Sequence, residues 1–96
     1  MRDDRFEWDD EKARANLAKH QLNFHVAKLA FDDPGAVDEP DETMDYREDR
    51  YQLIGMALGR LVVVIYTQRN SRVRIISARK ANQRDERDYA RQNQAR

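Results

Sequence analysis

The chain has 96 residues, with eighteen acidic side chains, eighteen basic ones and no cysteine. This length supports one domain, over residues 1–96, with one modest core, and the lack of cysteine excludes disulfide bonds and thiolate metal sites. No apolar run reaches the length of a membrane span, and the charged N-terminus is unlike a signal peptide. We therefore expect a cytoplasmic protein that has no membrane partner.

Charge is unevenly distributed along the chain, although the formal net charge is zero. Residues 1–50 carry a net charge of −7, and residues 51–96 carry a net charge of +7. A basic half can bind nucleic acid or an acidic partner surface. Alternatively, the acidic half folds over the basic half and neutralises it.

The first predicted elements are a short strand and a helix. Phe6 and Trp8 alternate with polar residues, which indicates a strand with both rings facing inward. Asp9 or Asp10 can cap a helix that runs to about His20, because acidic side chains suit the positive end of the helix dipole. The inner face of this helix is expected to carry Ala13, Leu17 and His20, with Asn16 beside them.

A second helix and an acidic segment follow. Asn23 can cap a helix from Phe24 to Phe31, so the two helices are expected to form a helical hairpin over one face of a sheet. A short edge strand can run from Ala36 to Pro40. Residues 41–49 are so rich in acidic side chains that we expect an exposed loop.

Three β-rich runs then alternate with turn signals. They span Arg50–Leu58, Arg60–Arg69 and Arg72–Lys80. The first turn lies within Leu58-Gly59-Arg60 and the second is Asn70-Ser71, which predicts an antiparallel meander.

The C-terminal part, residues 82–96, is a polar helix or tail. Asn82 can cap a helix from Gln83 to about Gln92, whose only apolar anchors are Tyr89 and Ala90. Such a helix frays or docks on a partner. The predicted fold class is α+β, an antiparallel sheet of four to five strands with an N-terminal helical hairpin and a C-terminal helix.

The last hairpin concentrates positive charge on one face of the sheet. With Asn70-Ser71 as the turn, cross-strand partners share a face. We define the arginine face as Arg69, Thr67, Arg72 and Arg74, which Arg50 joins if Gly59-Arg60 is the preceding turn. These like charges repel unless an anion or acidic side chains offset them, or they serve to deter pairing between sheet edges.

The same register pairs Val62 with Arg79. Arg79 then lies on the opposite face from Arg69, unless the strand twists or bulges.

Most of the chain resembles the BrnT toxin family. The matching segments are Phe6–Asp9, Lys12 with Asn16–His20, Phe24 with Phe31–Pro34, Arg50–Tyr51, Ile54–Gly55, Val62–Val64 and Arg74–Ala81. The run Arg-Ile-Ile-Ser-Ala-Arg-Lys-Ala at the end of that list is the most specific part.

The resemblance implies the toxin of a type II toxin–antitoxin pair, with a RelE-like fold, that cleaves RNA and arrests translation. It also implies a cognate antitoxin similar to BrnA, whose ribbon-helix-helix part binds operator DNA, so that the toxin reaches DNA only through its partner. A two-fold symmetric antitoxin dimer would give a 2:2 complex.

Metal-independent RNA cleavage needs donors for a negative phosphate, a proton acceptor and a proton donor, and it needs no cofactor. The candidate catalytic residues are Arg69, Arg74, Arg79, Lys80, His20 and Tyr66. The candidate RNA-binding residues are Arg50, Arg72, Lys12, Lys19 and Trp8. No sequence spacing indicates a metal site. A nucleic-acid-binding module without catalysis and an antitoxin-docking module remain the alternatives.

Overall fold

The computed structural model describes residues 1–41 and 48–94 and contains one sheet of five strands. The strands are β1 (Phe6–Glu7), β2 (Val37–Pro40), β3 (Tyr51–Ala57), β4 (Arg60–Arg69) and β5 (Arg72–Lys80). The helices are α1 (Asp10–His20), α2 (Phe24–Ala27) and α3 (Gln83–Gln94), and a 3₁₀ helix over Lys28–Asp32 follows α2. The predicted α+β class is confirmed.

The sheet is mixed rather than antiparallel. Its strand order is β1-β5-β4-β3-β2, and β1 pairs with β5 in parallel, with Phe6 opposite Val73 and Glu7 opposite Arg74. Tight turns force only the strands that they connect to be antiparallel. Since β1 and β5 are separated by most of the chain, no turn constrains their direction, and the antiparallel prediction was wrong for this pair.

The predicted helical hairpin is absent from the described residues, because the second helix is only one α-helical turn before it becomes a 3₁₀ helix. Asn23 does cap that turn through the backbone N–H of His25. The 3₁₀ segment lies directly on β3, where a Cβ on Gly55 would come within 2.8 Å of the Ala30 carbonyl oxygen. This contact explains the glycine in the middle of the strand.

Two tight turns set the register of the meander. Asn70 and Ser71 both have left-handed backbones, with Arg69 opposite Arg72, as predicted. The other turn is Leu58-Gly59, with Ala57 opposite Arg60.

Arg50 therefore precedes the Tyr51–Tyr66 pair rather than lying opposite Arg69. The register differs by two residues from the one that a Gly59-Arg60 turn would give, and a shift of two leaves each side chain on the same face.

A β-bulge in β5 changes the register of the last hairpin. Tyr66 pairs with Ile75 while Ile65 pairs with Ser77, so Ile76 is the extra residue. Beyond the bulge, Arg79 lies opposite Val63 rather than the predicted Val62. One extra residue reverses the alternation of side chains, which moves Arg79 onto the face that carries Arg69.

The larger core fills the space between the sheet and α1, α2 and the 3₁₀ helix. Its buried residues include Phe6, Trp8, Leu22, Phe24, Val62, Val64, Tyr66 and Ile75. The inner face of α1 differs from the prediction, because Asn16 is buried whereas Leu17 is 47% exposed. The buried amide has hydrogen-bond partners that compensate for its loss of hydration.

A smaller core lies under α3 on the opposite face of the sheet, where Val37, Ile54 and Val63 are buried. Tyr89 packs on it as predicted, and its hydroxyl donates to Asp33 Oδ2 over 2.8 Å. Ala90, the other predicted anchor, is exposed. The acidic loop predicted at 41–49 falls largely on residues 42–47, outside the described residues. Within the described part of the chain, no helix is long and apolar enough to cross a bilayer.

Candidate nucleic-acid interface

The arginine face is matched by acidic groups of the same chain. The Nη1 atom of Arg74 lies 2.6 Å from Glu7 Oε2, and Glu7 is buried. Glu48 lies 3.8 Å from Arg69 and 3.7 Å from Arg50. Short ion pairs with a buried carboxylate reduce the charge that is available to a phosphate.

The remaining members of the arginine face also have polar contacts. Arg72 donates from Nε to the Asp3 carbonyl oxygen over 2.7 Å, and the buried Thr67 donates from Oγ1 to the Asp49 carbonyl oxygen. The acidic half of the chain therefore neutralises much of this surface, which was one of the two alternatives that the charge distribution left open.

Arg79 is held by the first turn of α3. Its Nη1 atom lies 2.7 Å from Asp85 Oδ2, which also accepts from the Asn82 N–H over 2.9 Å. Burial acts to raise the pKa of Asp85, but the hydrogen bonds from Arg79 and from the Asn82 N–H hold that pKa below its usual value. Asn82 Oδ1 in turn accepts from the Asp85 N–H, so the two residues form a capping box.

A basic groove lies where the C-terminal end of α1 meets the end of β5. It is open, has a volume of about 700 Å³, and is lined by Lys19, His20, Gln21, Arg79, Lys80 and Asn82. Throughout residues 1–41 and 48–94, Lys19, His20 and Lys80 make no ion pair with an acidic side chain. Apart from Arg79, which pairs with Asp85, the cationic groups of this groove are thus less compensated than those of the arginine face.

The end of α1 and the end of β5 form the two walls of the basic groove, and Asn16 connects them. Its Nδ2 donates to the carbonyl oxygens of Ala78 and Leu22 over 2.8 and 3.1 Å, and its Oδ1 accepts from the Ala78 N–H over 3.1 Å. Asn16 lies one helical turn before His20, and Ala78 immediately precedes Arg79.

Two predicted site residues lie in the larger core. Trp8 is only 5% exposed and packs edge-on against Phe24, so its ring is not available to stack on an RNA base. Tyr66 is buried on the face opposite the arginines, and its hydroxyl donates to Asp38 over 2.7 Å. Burial, and then the hydrogen bond to Asp38, raises the pKa of Tyr66 above its usual value, which opposes a role as proton acceptor.

Lys12 is exposed near the N-terminal end of α1 and does not line the basic groove. The structure therefore brings together four of the predicted site residues, which are His20, Lys19, Arg79 and Lys80. In the part of the chain that is described, no three His, Asp or Glu side chains are grouped as a metal site would require.

Sequence reasoning missed Glu7, Asn16 and Asp85 as partners of the site. The spacing of Asn82 and Asp85 is that of a capping box and could have identified Asp85. No sequence signal pointed to Glu7, because its pairing with Arg74 depends on the parallel contact between β1 and β5.

An α+β domain with a basic groove at the edge of its sheet has the features of a nucleic-acid-binding protein. Residues 8–85 match the model of a family described as the ribonuclease toxin BrnT of type II toxin–antitoxin systems. Because this match spans most of the chain, the protein belongs to the BrnT family, as its sequence resemblance predicted. A search of curated proteins gave no match.

Proposed function

We propose that this protein is a metal-independent endoribonuclease toxin whose reaction takes place in the basic groove. Membership of the BrnT family supports ribonuclease activity and pairing with an antitoxin. The observation that carries the choice of site is the grouping of Lys19, His20, Arg79 and Lys80 around one open groove. A phosphodiester is the natural ligand for such a set, because its two free oxygens accept charge-assisted hydrogen bonds.

The proposed reaction is internal transesterification. The 2′-hydroxyl of one nucleotide attacks the adjacent phosphorus, the bond from phosphorus to the 5′-oxygen breaks, and the products are a 2′,3′-cyclic phosphate and a 5′-hydroxyl. Arg79, Lys19 and Lys80 stabilise the negative pentacoordinate phosphate. His20 transfers a proton to or from the reacting oxygens.

The arginine face serves binding rather than chemistry in this proposal. Its guanidinium groups are already paired with Glu7 and Glu48, so an incoming ligand must exchange partners with them. An antitoxin segment that carries acidic and apolar side chains suits this surface, and it would exclude RNA from the neighbouring groove. A ribbon-helix-helix antitoxin dimer would assemble two toxins in a 2:2 complex and bring them to operator DNA.

A RelE-like fold and arrest of translation complete the proposal and come from the family resemblance. A cytoplasmic location is also proposed, and it comes from the lack of a long apolar run and the charged N-terminus. The order of strands and the helices on both sheet faces are the features to compare with RelE-like nucleases.

The proposal is tested by incubating the purified protein with structured RNA and resolving new ends on a denaturing gel. Lys19→Gln and Lys80→Gln should each weaken RNA binding and cleavage, because each removes one phosphate contact. Lys12→Gln is the matched control, since it removes the same charge from the same helix as Lys19 but outside the groove. Salt-dependent binding without new ends would instead indicate a non-catalytic binding module.

A further inference from the structure

We infer that Asn16 is a positioning residue that sets the separation between His20 and Arg79 across the basic groove. This inference rests on the proposed function, because it assigns the two groove walls to one reaction. Asn16 is 7% exposed, so its side chain does not itself contact RNA. It acts through the backbone of the elements that carry the reacting side chains.

The geometry resembles the pairing of one more strand with β5. Strand β1 covers the outer edge of β5 only at Val73 and Arg74. Farther along that edge, the Asn16 amide takes the place of a neighbouring strand, because it accepts from the N–H of Ala78 and donates to its carbonyl oxygen. An amide side chain can satisfy both backbone groups at once, because its donor and acceptor are separate atoms, whereas an ionised carboxylate can only accept.

The same amide fixes the end of α1. Its second N–H donates to the carbonyl oxygen of Leu22, just beyond Gln21, whose left-handed backbone (φ 56°) ends the helix. His20 thus lies in the short segment between Asn16 itself and Leu22, whose carbonyl oxygen Asn16 binds. Residues four apart on a helix share a face, so Asn16 and His20 move together.

The β5 wall of the groove is held at Ala78, the residue before Arg79. Ala78 directly precedes Arg79, so the two hydrogen bonds to Ala78 fix the backbone from which the guanidinium extends. Asp85 then holds the far end of the Arg79 side chain. The relative position of an imidazole and a guanidinium governs how well both meet one phosphate, and small displacements are costly in the transition state.

If Asn16 contributed only to stability, any other substitution that destabilises the protein equally would reduce activity equally. The chain offers a second capping asparagine as a control in Asn23, which caps α2 through the His25 N–H and does not line the basic groove. Asn23→Ala removes an exposed capping hydrogen bond, and its side chain does not line the groove. Comparison of Asn16→Ala with Asn23→Ala therefore separates positioning from general stability.

The experiment measures kcat and KM for RNA cleavage, together with NMR of the folded variants. Asn16→Ala should lower kcat by about 10²-fold while KM changes little, whereas Asn23→Ala should lower the melting temperature and leave kcat unchanged. Asn16→Ala should also accelerate hydrogen exchange of the Ala78 amide and change the chemical shifts of His20 and Arg79 more than those of residues outside the groove.

Two results on activity would overturn the inference. One is an Asn16→Ala protein that loses protection at Ala78 but keeps the wild-type kcat, and the other is an equal loss of kcat in Asn23→Ala. If the wild-type protein cleaves no RNA, the proposed function fails, and the chemical shifts and hydrogen exchange still decide whether Asn16 sets the two walls. Unchanged chemical shifts of His20 and Arg79 in Asn16→Ala would reject the positioning role independently of activity.

Discussion

Arg69 in β4 and Arg79 in β5 lie on the same face of the sheet, because the extra residue Ile76 in β5 shifts the pairing of the two strands by one residue. Without the bulge the alternation of side chains would place them on opposite faces. One face of β5 therefore carries cationic groups from the hairpin tip to the basic groove. A ligand that contacts Arg79 in the groove therefore meets the sheet face that also carries Arg69.

Arg79 is predicted to matter more for cleavage than Arg69. Arg79→Lys keeps a positive charge beside Asp85 but loses the planar fork that binds two phosphate oxygens. We expect cleavage to fall by about 10²–10³-fold, the range seen when one oxyanion donor is removed. Arg69→Lys, at a site where the guanidinium pairs with Glu48 outside the groove, should change cleavage by less than about tenfold. Single-turnover rates of the two variants measure the difference, and equal losses would place the reaction on the arginine face instead.

Asp85 is predicted to make stability depend on pH. Its pKa is lower in the folded protein than the ordinary 3.8, so its contribution is present above that value and is lost as pH falls through the folded pKa. Asp85→Asn removes a charge-assisted hydrogen bond and should lower the free energy of unfolding at pH 7 by about 1–3 kcal/mol. Denaturant unfolding at pH 7 and pH 3 should show a smaller change with pH for the variant than for the wild type. Parallel pH profiles would show that the Arg79–Asp85 pair does not contribute.

The turns and caps of this fold follow from the sequence, whereas the details of the site do not. Asn70-Ser71 and Asp9 are recognisable because their side chains and backbone preferences act locally. The bulge at Ile76 carries no such signal, since it lies within an ordinary β-branched run. A register error of one residue then assigned Arg79 to the wrong face.

The inner face of α1 was misassigned for a related reason. Leu17 and Asn16 are neighbours on the helix, and an amphipathic pattern assigns the leucine to the core. The structure instead buries the asparagine, because its amide pairs with the edge of a strand 62 positions away in the chain. The tertiary contact outweighs the local preference, and only the folded arrangement reveals it.

Glu7 is predicted to restrain RNA binding at the arginine face. Glu7→Gln removes the charge that is matched to Arg74 while a similar shape and a hydrogen-bonding group remain. RNA affinity at low salt should rise, and the slope of log affinity against log salt should steepen by about one phosphate contact. Asp4→Asn is the control, because it removes one exposed acidic charge that pairs with no cation among the described residues. An equal rise in both variants would show only the effect of net charge.

The antitoxin and RNA are predicted to compete. Titration of the cognate antitoxin into toxin bound to a 2′-O-methyl RNA should release the RNA, because Arg79 of the groove lies on the same sheet face as the arginine face. Arg74→Ala should weaken antitoxin binding by about 2–5 kcal/mol if that guanidinium exchanges Glu7 for an acidic side chain of the partner. Fluorescence anisotropy of the RNA and calorimetry of the antitoxin measure the two effects. Simultaneous binding without mutual weakening would place the antitoxin on another surface.

The chemistry of cleavage is tested most directly by the ends that the protein leaves on RNA in the presence of EDTA. Mass spectrometry of the products should detect 2′,3′-cyclic phosphate and 5′-hydroxyl ends, and a substrate with a 2′-O-methyl group at the cleavage site should remain intact. His20→Gln and Arg79→Lys should reduce formation of the same products without changing their nature. Cleavage that is lost in EDTA and restored by magnesium, or that leaves 3′-hydroxyl ends, would contradict a reaction driven by the 2′-hydroxyl in the basic groove.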